Sequence, residues 1–376
     1  MYKDDDGMTN HSIDTVNSKS SSGFNNSKYF DLLRDNIELW DIFTSKEEYD
    51  ANITDDHGRI LYENCKNRDV LKPIISEFLT ENGLKIKYPK NKKFAVFLSH
   101  DIDLVYSINS AYRVLKELKK RNIKNIAKSP FERFNKNANP LWNFKDIMSL
   151  EKKYGAKSTF YFMALDKKEL GHNYNIKKLK KEIQDLDNNN WEIGLHGGFD
   201  AYNNLEKIKD EKKKLEEILN GDIVGYRGHY LKFKIPKTWE ILHEAGFKYD
   251  STFGFADMVG FRNCMCHPYK PFNLNTNKEI DVLEIPLNIM DTTLFEYMNL
   301  DFKGAWDIIK LLVDTVEKNN GVITILWHNT NMTDSMLDLY DNFLKYCRDK
   351  EAWMTCGKEI YDWYKKLEFE KDEYRR

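Results

Sequence analysis

The chain has 376 residues, of which 41% are hydrophobic and 14% aromatic, enough apolar side chains for a large core in one or two domains. Its 58 basic and 60 acidic residues give a net charge of −2, which excludes a global field for binding nucleic acid or an anionic membrane. No apolar run reaches the length of a membrane span or resembles a signal peptide. The five cysteines are scattered except for Cys264 and Cys266, as is typical of reduced thiols. The composition therefore predicts a cytoplasmic protein without a nucleic-acid partner or a membrane span.

The first 90 residues lack a regular alternation of strands and helices. Residues 1–28 are rich in Asp, Ser and Asn, which predicts a disordered segment. Residues 29–43 and 70–82 have helical patterns, and a polar segment joins them. We interpret residues 29–90 as a helical extension, either a cap on the domain that follows or a small subdomain.

From residue 94 onward, short apolar runs alternate with amphipathic stretches. The runs predict strands at residues 94–98, 158–163, 191–195, 223–226, 247–249, 282–285, 322–327 and 352–355. Helical patterns lie between most of them, at residues 145–154, 176–187, 204–219, 236–245, 303–318 and 333–350. This alternation is typical of α/β proteins with a parallel sheet, closed or open.

Ionisable side chains follow five of the predicted strands. In chain order they are His100, Asp101, Asp103, His196, Arg227, His229, Asp250 and His328. In barrels of parallel strands, the loops at the C-terminal strand ends form the active site. We therefore expect one convergent site. His100 is the exception, because side chains alternate along a strand and it should point away from Asp101.

The spacing of Asp101 and Asp103 favours metal chemistry. An Asp-X-Asp pair places two carboxylates on the same side of an extended chain. Held that close, they are not easily both free anions, so a cation or an arginine is expected nearby. One acid can bind a divalent metal while the other takes a proton from the water that the metal activates. His196 is a natural second ligand, because neutral imidazole suits zinc and similar metals.

Five short motifs occur in order, each after a predicted strand. They read SHDID at residues 99–103, EIGLHGGFDAY at 192–202, GYRGHY at 225–230, YDSTFGF at 249–255 and ILWHN at 325–329. In this order they resemble the polysaccharide deacetylase family, the NodB-homology or carbohydrate esterase 4-like enzymes, in a divergent form with an Asp-X-Asp first motif. The resemblance implies a distorted (β/α)7 barrel over residues 91–369, preceded by the helical extension.

The resemblance also implies catalytic roles for the matched positions. Asp101 would be the general base, and Arg227 would keep it ionised. His328 would be the general acid that protonates the leaving amine, with Asp250 orienting it. The backbone N–H of Tyr230 would help to stabilise the oxyanion.

For the metal, the resemblance implies Asp103 and His196 as ligands and zinc as the expected divalent cation. Two departures leave the third ligand open. The second histidine of the family's HxxxH pattern is replaced by Asp200, which can ligate zinc but can equally cap the helix that starts near residue 203. His229 stands where the family usually has proline, so it either completes the metal shell, contacts substrate or is an ordinary loop histidine.

Three further residues are candidates for binding substrate. Residues 260–272 read GFRNCMCHPYKPF, and we interpret them as a long loop over the barrel mouth from which Arg262 reaches substrate. The Cys-X-Cys-His pattern in this loop is a poor structural zinc site, because no second cysteine pair is near. Tyr202 and Trp327 are aromatics that would suit sugar faces, although ordinary core packing is the alternative.

The sequence thus predicts a metal-dependent hydrolase that removes an acetyl group from an N-acetylated sugar or polysaccharide precursor. Two alternatives remain open. One is a catalytically impaired, carbohydrate-binding relic of the fold, which the missing second histidine motivates. The other is a glycosyltransferase that uses Asp-X-Asp to hold a metal and a nucleotide, although the histidines after the later strands fit it poorly.

Overall fold

A computed structural model describes residues 26–51, 53–65, 69–106, 139–165 and 172–372. Residues 1–25 of the segment predicted to be disordered lie outside this part of the chain, whereas Asn26 already begins the first helix. The helices are α1 (Asn26–Arg34), α2 (Ile37–Phe43), α3 (Ile74–Glu81), α4 (Phe144–Lys153), α5 (Lys180–Asn188), α6 (Leu205–Leu219), α7 (Lys237–Glu244), α8 (Phe302–Lys318), α9 (Asp334–Asp349) and α10 (Gly357–Asp372).

The strands are mostly short, and all overlap predicted apolar runs except those at residues 272–273, 278–279 and 289–290, which were not predicted. They are β1 (Ala95–Ile102), β2 (Thr159–Phe162), β3 (Glu192–Gly197), β4 (Gly225–Gly228), β5 (Tyr249–Asp250), β6 (Phe272–Asn273), β7 (Lys278–Glu279), β8 (Leu283–Glu284), β9 (Ile289–Met290), β10 (Val322–Leu326) and β11 (Trp353–Thr355). The main sheet has the order β8-β5-β4-β3-β2-β1-β10-β9, and β11 pairs with β1 beside β2. Its pairs are parallel, and β6 and β7 form a separate antiparallel hairpin.

The main sheet curls into a barrel. Phe97 on β1 and Tyr249 on β5 are four strands apart in the sheet order, yet their ring centroids lie 6.0 Å apart. Side chains of distant strands therefore meet across an interior. This geometry confirms the predicted α/β architecture with a parallel, barrel-like sheet.

Strand β1 shows how the sequence builds the two faces of this barrel. All eight of its residues are buried, and successive side chains point to opposite faces. Val96, Leu98 and Ile102 pack in the main core on the helix side of the sheet. Phe97 points inward, and so do Ser99 and Asp101. The alternation of apolar and polar side chains along FAVFLSHDI therefore aims one acid into the barrel.

The N-terminal helices close the end of the barrel where the strands begin. The ring centroid of Phe43 lies 5.2 Å from that of Tyr269, and the N–H of Ile75 donates to the carbonyl of Cys264. The carbonyl of Cys266 accepts from the N–H of Val322, the first residue of β10. The helices of the extension thus pack as a cap at the end of the barrel opposite the C-terminal strand ends. Within the described residues, no helix is both long and apolar enough to cross a membrane.

Candidate active site

The ionisable side chains at the C-terminal strand ends converge on one cavity. Asp101 lies in β1 and Asp103 just beyond it, while His196 lies in β3. His229 follows β4, and His328 follows β10 by two residues. These five residues line a cavity of about 180 Å³. The parallel sheet brings them together because its strands all end at the same edge.

Asp101 is held beside a buried arginine. The Arg227 guanidinium is fully buried, and its Nη1 lies 3.4 Å from Asp101 Oδ1. Its Nη2 donates to the hydroxyls of Ser99 and Ser251, both at 3.1 Å. The guanidinium also lies 4.8 Å from the centroid of the Tyr161 ring. These contacts fix the positive charge, so the Asp101 carboxylate faces the cavity next to a rigid counter-ion.

Asp103, His196 and His229 form a compact cluster of potential metal ligands. One ligand atom from each lies within 4.8 Å of the others. Asp103 Oδ1 is 3.2 Å from His196 Nε2 and 3.9 Å from His229 Nε2. His196 Nδ1 lies 3.0 Å from the carbonyl of Arg227. Because a carbonyl only accepts, Nδ1 carries the hydrogen, which leaves Nε2 free to ligate.

The donor set fits a divalent cation. Asp103 Oδ1 is buried and, among the described residues, receives no well-oriented hydrogen bond. Burial raises the pKa of Asp103, but the nearby imidazoles of His196, His229 and His328 outweigh it and lower the net value. Burial lowers the pKa of His229 to about 3, so this imidazole is neutral as a ligand must be. One carboxylate and two imidazoles with an open position match catalytic metal sites.

The raised pKa of His196 indicates that the cluster stabilises positive charge. Burial lowers its pKa, but the carboxylates of Asp101 and Asp103 outweigh burial and leave the pKa raised. A cation held at this point would receive the same stabilisation from the two carboxylates.

His328 is oriented by a buried carboxylate. Its Nδ1 donates to Asp291 Oδ1 at 2.6 Å, and its backbone N–H donates to Asp291 Oδ2 at 2.8 Å. Asn331 Nδ2 donates to the same Oδ2 at 2.9 Å. Burial lowers the pKa of His328, but the charge of Asp291 outweighs it and raises the pKa to about 10. The other nitrogen, Nε2, is 3.6 Å from Asp103 Oδ2, so it faces the reaction space.

The cavity has a second wall, of which the sequence indicated only Tyr230. It contains Tyr230 together with Arg59, Thr292, Glu296 and Tyr297. Tyr230 has a left-handed backbone, with φ of 58° and ψ of 18°, which costs about 1–3 kcal/mol for such a residue. Its carbonyl accepts from Arg59 Nη1 at 3.0 Å. The turn after β4 is thus held from the N-terminal extension.

Comparisons with known proteins give a match in structure alone. No family model matches the sequence, and no curated protein matches it. A protein from Mycobacterium smegmatis, assigned as a polysaccharide deacetylase, superposes with a TM-score of 0.53 at 16% identity, over 75% of this chain and 93% of that chain. One from Pseudomonas aeruginosa PAO1, with the same assignment, gives 0.50 at 14% identity over 81% and 97%. The chain has the polysaccharide deacetylase fold. The resemblance predicted from the motifs is thereby confirmed for the fold.

Within this deacetylase fold, Asp250 does not contact His328, and its predicted orienting role is wrong. Asp250 lies in β5, where its Oδ1 accepts from Thr252 Oγ1 at 2.6 Å. Asp291 holds His328 instead. The missed signal is the pair Ile289-Met290, a short apolar run directly before an acid.

Asp200 lies outside the metal cluster. Its side chain is 64% exposed and pairs weakly with Lys207 at 3.7 Å and Lys232 at 3.9 Å. It does not cap α6 either, because Asn204 accepts from the N–H of Lys207 there. Both roles considered for Asp200 are therefore wrong, and His229 takes the third position of the cluster.

The cavity is not lined by Arg262, Trp327 or Tyr202, the three residues predicted to contact substrate. Arg262 is 4% exposed and donates to Glu48 Oε2 at 2.6 Å, so its charge is already paired. Trp327 is fully buried, and its ring centroid lies 5.6 Å from that of Tyr340 on the helix side of the sheet. Tyr202 lies beside Lys232, whose Nζ is 4.8 Å from the ring centroid, and it is not among the residues that line the cavity.

His100 is placed as the alternation along β1 predicts. Its Nδ1 lies 2.7 Å from the carbonyl of Trp327, and its Nε2 lies 2.8 Å from Glu151 Oε1 on α4. The imidazole therefore points to the helix side, away from Asp101. It ties β1 to the end of β10, next to His328.

Proposed function

We propose that this chain is a metal-dependent deacetylase that hydrolyses the acetyl group of an N-acetylated sugar. The proposal rests on the residues that line one cavity of this fold. It joins an acid–arginine pair, a cluster able to bind a cation, and an imidazole oriented by a carboxylate. These are a base, an electrophilic site and an acid, the three functions that amide hydrolysis needs.

Asp103, His196 and His229 would hold the cation, and zinc is the proposed metal because two imidazoles and one carboxylate with an open position suit it. When bound, the metal would supply Lewis-acid polarisation of the acetyl carbonyl and a more acidic water.

The chain's own residues supply the proton transfers. Asp101 takes a proton as the water oxygen bonds to the acetyl carbon, and Arg227 orients the carboxylate and balances its charge. His328 Nε2 then donates a proton to the sugar nitrogen as the carbon–nitrogen bond breaks, which gives acetate and a free amine. The backbone N–H of Tyr230 is the candidate donor to the oxyanion, because its turn lines the cavity.

Two considerations support an N-acetylated sugar as the substrate. An amine is a poor leaving group unless it is protonated, and a proton donor such as His328 meets that need. The two matched structures are assigned to enzymes of polysaccharides. Cytoplasmic location stays a prediction.

Acetate release tests the proposal. Purified protein incubated with N-acetylated sugar oligomers is expected to release acetate and to lose this activity with a chelator. Asp101→Asn removes the base and is expected to lower kcat by about 10²–10⁴-fold. Glu206→Asn, an exposed acid on α6, is the control and should retain wild-type turnover. Acetate release that survives both the chelator and Asp101→Asn would refute the catalytic proposal.

Metal content tests the third ligand separately from activity. His229→Ala is expected to weaken zinc binding by at least about tenfold, since even loss of an outer partner costs 10–100-fold. Asp200→Ala should bind one zinc per chain like the wild type. Elemental analysis after dialysis against limiting zinc gives the stoichiometry, and circular dichroism checks folding. Loss of zinc in Asp200→Ala but not in His229→Ala would contradict the assignment.

The alternatives are less well supported by the site. The carbohydrate-binding relic was motivated by a missing histidine, and His229 lies where it can replace that ligand. The glycosyltransferase needs Asp101 and Asp103 to hold a metal and nucleotide together. Here the Asp101 carboxylate is beside Arg227 instead, which suits a base better than a metal ligand.

A further inference from the structure

The size of the cavity indicates that most of a substrate lies outside it. Its volume is about 180 Å³, below the ~300–1,000 Å³ of pockets that enclose drug-sized ligands. It can take the acetylated group and part of its sugar ring. In an oligomeric substrate, a neighbouring sugar unit would therefore lie at the mouth.

Tyr297 is the exposed aromatic at this mouth. It lines the cavity, and the residue is 42% exposed. It ends a single-turn π-helix, Thr293–Tyr297, a rare conformation found frequently at functional sites. Asp291, the partner of His328, lies two residues before this helix. One short stretch of chain thus connects the acid side of the site to the mouth.

Arg59 holds Tyr297 in place. It is 5% exposed, and its Nη2 donates to the Tyr297 hydroxyl at 2.9 Å. Its Nη1 donates to the carbonyl of Tyr230 at 3.0 Å, and its Nε donates to Asp55 Oδ2 at 2.7 Å. The planar guanidinium therefore ties the turn after β4 to the segment after β9.

The N-terminal extension reinforces this wall at a second point. The ring centroid of His57 lies 4.7 Å from that of Tyr230, with an interplanar angle of 31°. Asp55 accepts from the backbone N–H of both His57 and Arg59, so the two side chains are presented by one compact turn. An aromatic ring fixed before binding loses little conformational entropy when a ligand packs on it.

We propose that Tyr297 forms a second sugar subsite, on which the apolar face of the unit next to the acetylated sugar stacks, and that Arg59 is its positioning residue. This inference rests on the proposed function and narrows its substrate to a chain of at least two sugar units. The adjacent Glu296 is exposed and can accept hydrogen bonds from sugar hydroxyls there.

The test compares an N-acetylated amino-sugar tetramer with its monomer. For Tyr297→Ala, the ratio of kcat/KM for the tetramer to kcat/KM for the monomer is expected to fall about threefold to tenfold, the range of an aromatic contact. Tyr297→Phe keeps the ring but loses the hydrogen bond from Arg59, so its ratio should fall less than that of Tyr297→Ala. Leu311→Ala alters another exposed large side chain, 48% exposed on α8, and should leave the ratio unchanged. An unchanged ratio in Tyr297→Ala, or an equal fall in Tyr297→Phe, would overturn the ring subsite.

A binding measurement separates failure of this inference from failure of the proposed function. Calorimetry with the deacetylated tetramer needs no turnover, and its Kd is expected to rise about threefold to tenfold in Tyr297→Ala. If the wild type releases no acetate from either sugar but shows this change in Kd, the deacetylase proposal fails and the subsite stands. If acetate is released and the Kd is the same in both proteins, the subsite fails alone.

Discussion

Asp291 is the residue that orients His328, the candidate general acid. It accepts hydrogen bonds from both the ring and the backbone of His328 and is itself fully buried. Such a partner fixes the tautomer and the direction of the imidazole, so that only Nε2 is presented to a substrate. The proton that His328 would give to the leaving amine is therefore aimed by Asp291.

We expect Asp291→Asn to lower kcat by roughly 10²-fold, the lower range for general acid catalysis, because an amide cannot replace the carboxylate at Nδ1. Asp250→Asn makes the same chemical change at another buried aspartate and is the matched control, expected to retain kcat within about threefold. Steady-state kinetics on one acetylated oligomer checks both variants. A larger loss in Asp250→Asn would restore the role first assigned to Asp250.

Asp250 and Asp291 also show which site residues can be predicted from the sequence and which cannot. Asp101, Asp103, His196 and His328 could be found because each follows a clear apolar run. Asp250 and Asp291 both stand at the end of two-residue strands, β5 and β9. Which of them meets His328 depends on the sheet order, in which β9 and not β5 is the neighbour of β10. That order is a long-range property that no local pattern contains.

The segment at residues 260–272 lies at a different end of the barrel from the one predicted for it. It was expected over the barrel mouth, but its cysteines pack under α3 at the opposite end. The N–H of Cys266 donates to Ser76 Oγ on α3, and the carbonyl of Cys264 accepts from Ile75. Arg262 consequently meets Glu48 of the N-terminal extension. Glu48 and Arg262 are 214 positions apart in the chain. A local pattern of apolar residues does not predict a contact over such a distance.

The ion pair between Arg262 and Glu48 gives a stability prediction for this element. Their side chains are 4% and 2% exposed, so Arg262→Met takes the guanidinium away from a buried carboxylate and is expected to cost about 3–5 kcal/mol of the free energy of unfolding. Urea unfolding measures the loss. The double variant Glu48→Gln with Arg262→Met removes the buried negative charge as well and should recover much of the lost stability. If Arg262 bound substrate instead, the single variant would raise KM with little change in stability.

For the whole molecule, a buried acid pair in the barrel wall couples stability to pH. Asp250 and Glu284 lie on the neighbouring strands β5 and β8. Trp239 Nε1 donates to Glu284 Oε2 at 2.8 Å, and Thr252 donates to Asp250. Burial raises the pKa of Glu284 well above its ordinary value, and the nearby charge of Asp250 raises it further. Burial also raises the pKa of Asp250, against the effect of Arg227. The pair therefore retains a proton in the folded state.

The direction of the change in stability with pH follows from the pH at which the folded and the unfolded chain release that proton. The unfolded chain releases it near pH 4.3 and the folded chain only at higher pH, so between these values the folded state holds more protons and stability falls as pH rises. Glu284→Gln mimics the protonated acid and should remove this slope, which is up to about 1.4 kcal/mol per pH unit for one proton. Urea unfolding of both proteins at several pH values from 4 to 8 measures the difference. Glu206→Gln, at the exposed acid on α6, should keep the wild-type slope. Equal slopes in the wild type and Glu284→Gln would mean that the pair titrates alike in both states, so that burial in this barrel is compensated by its hydrogen bonds.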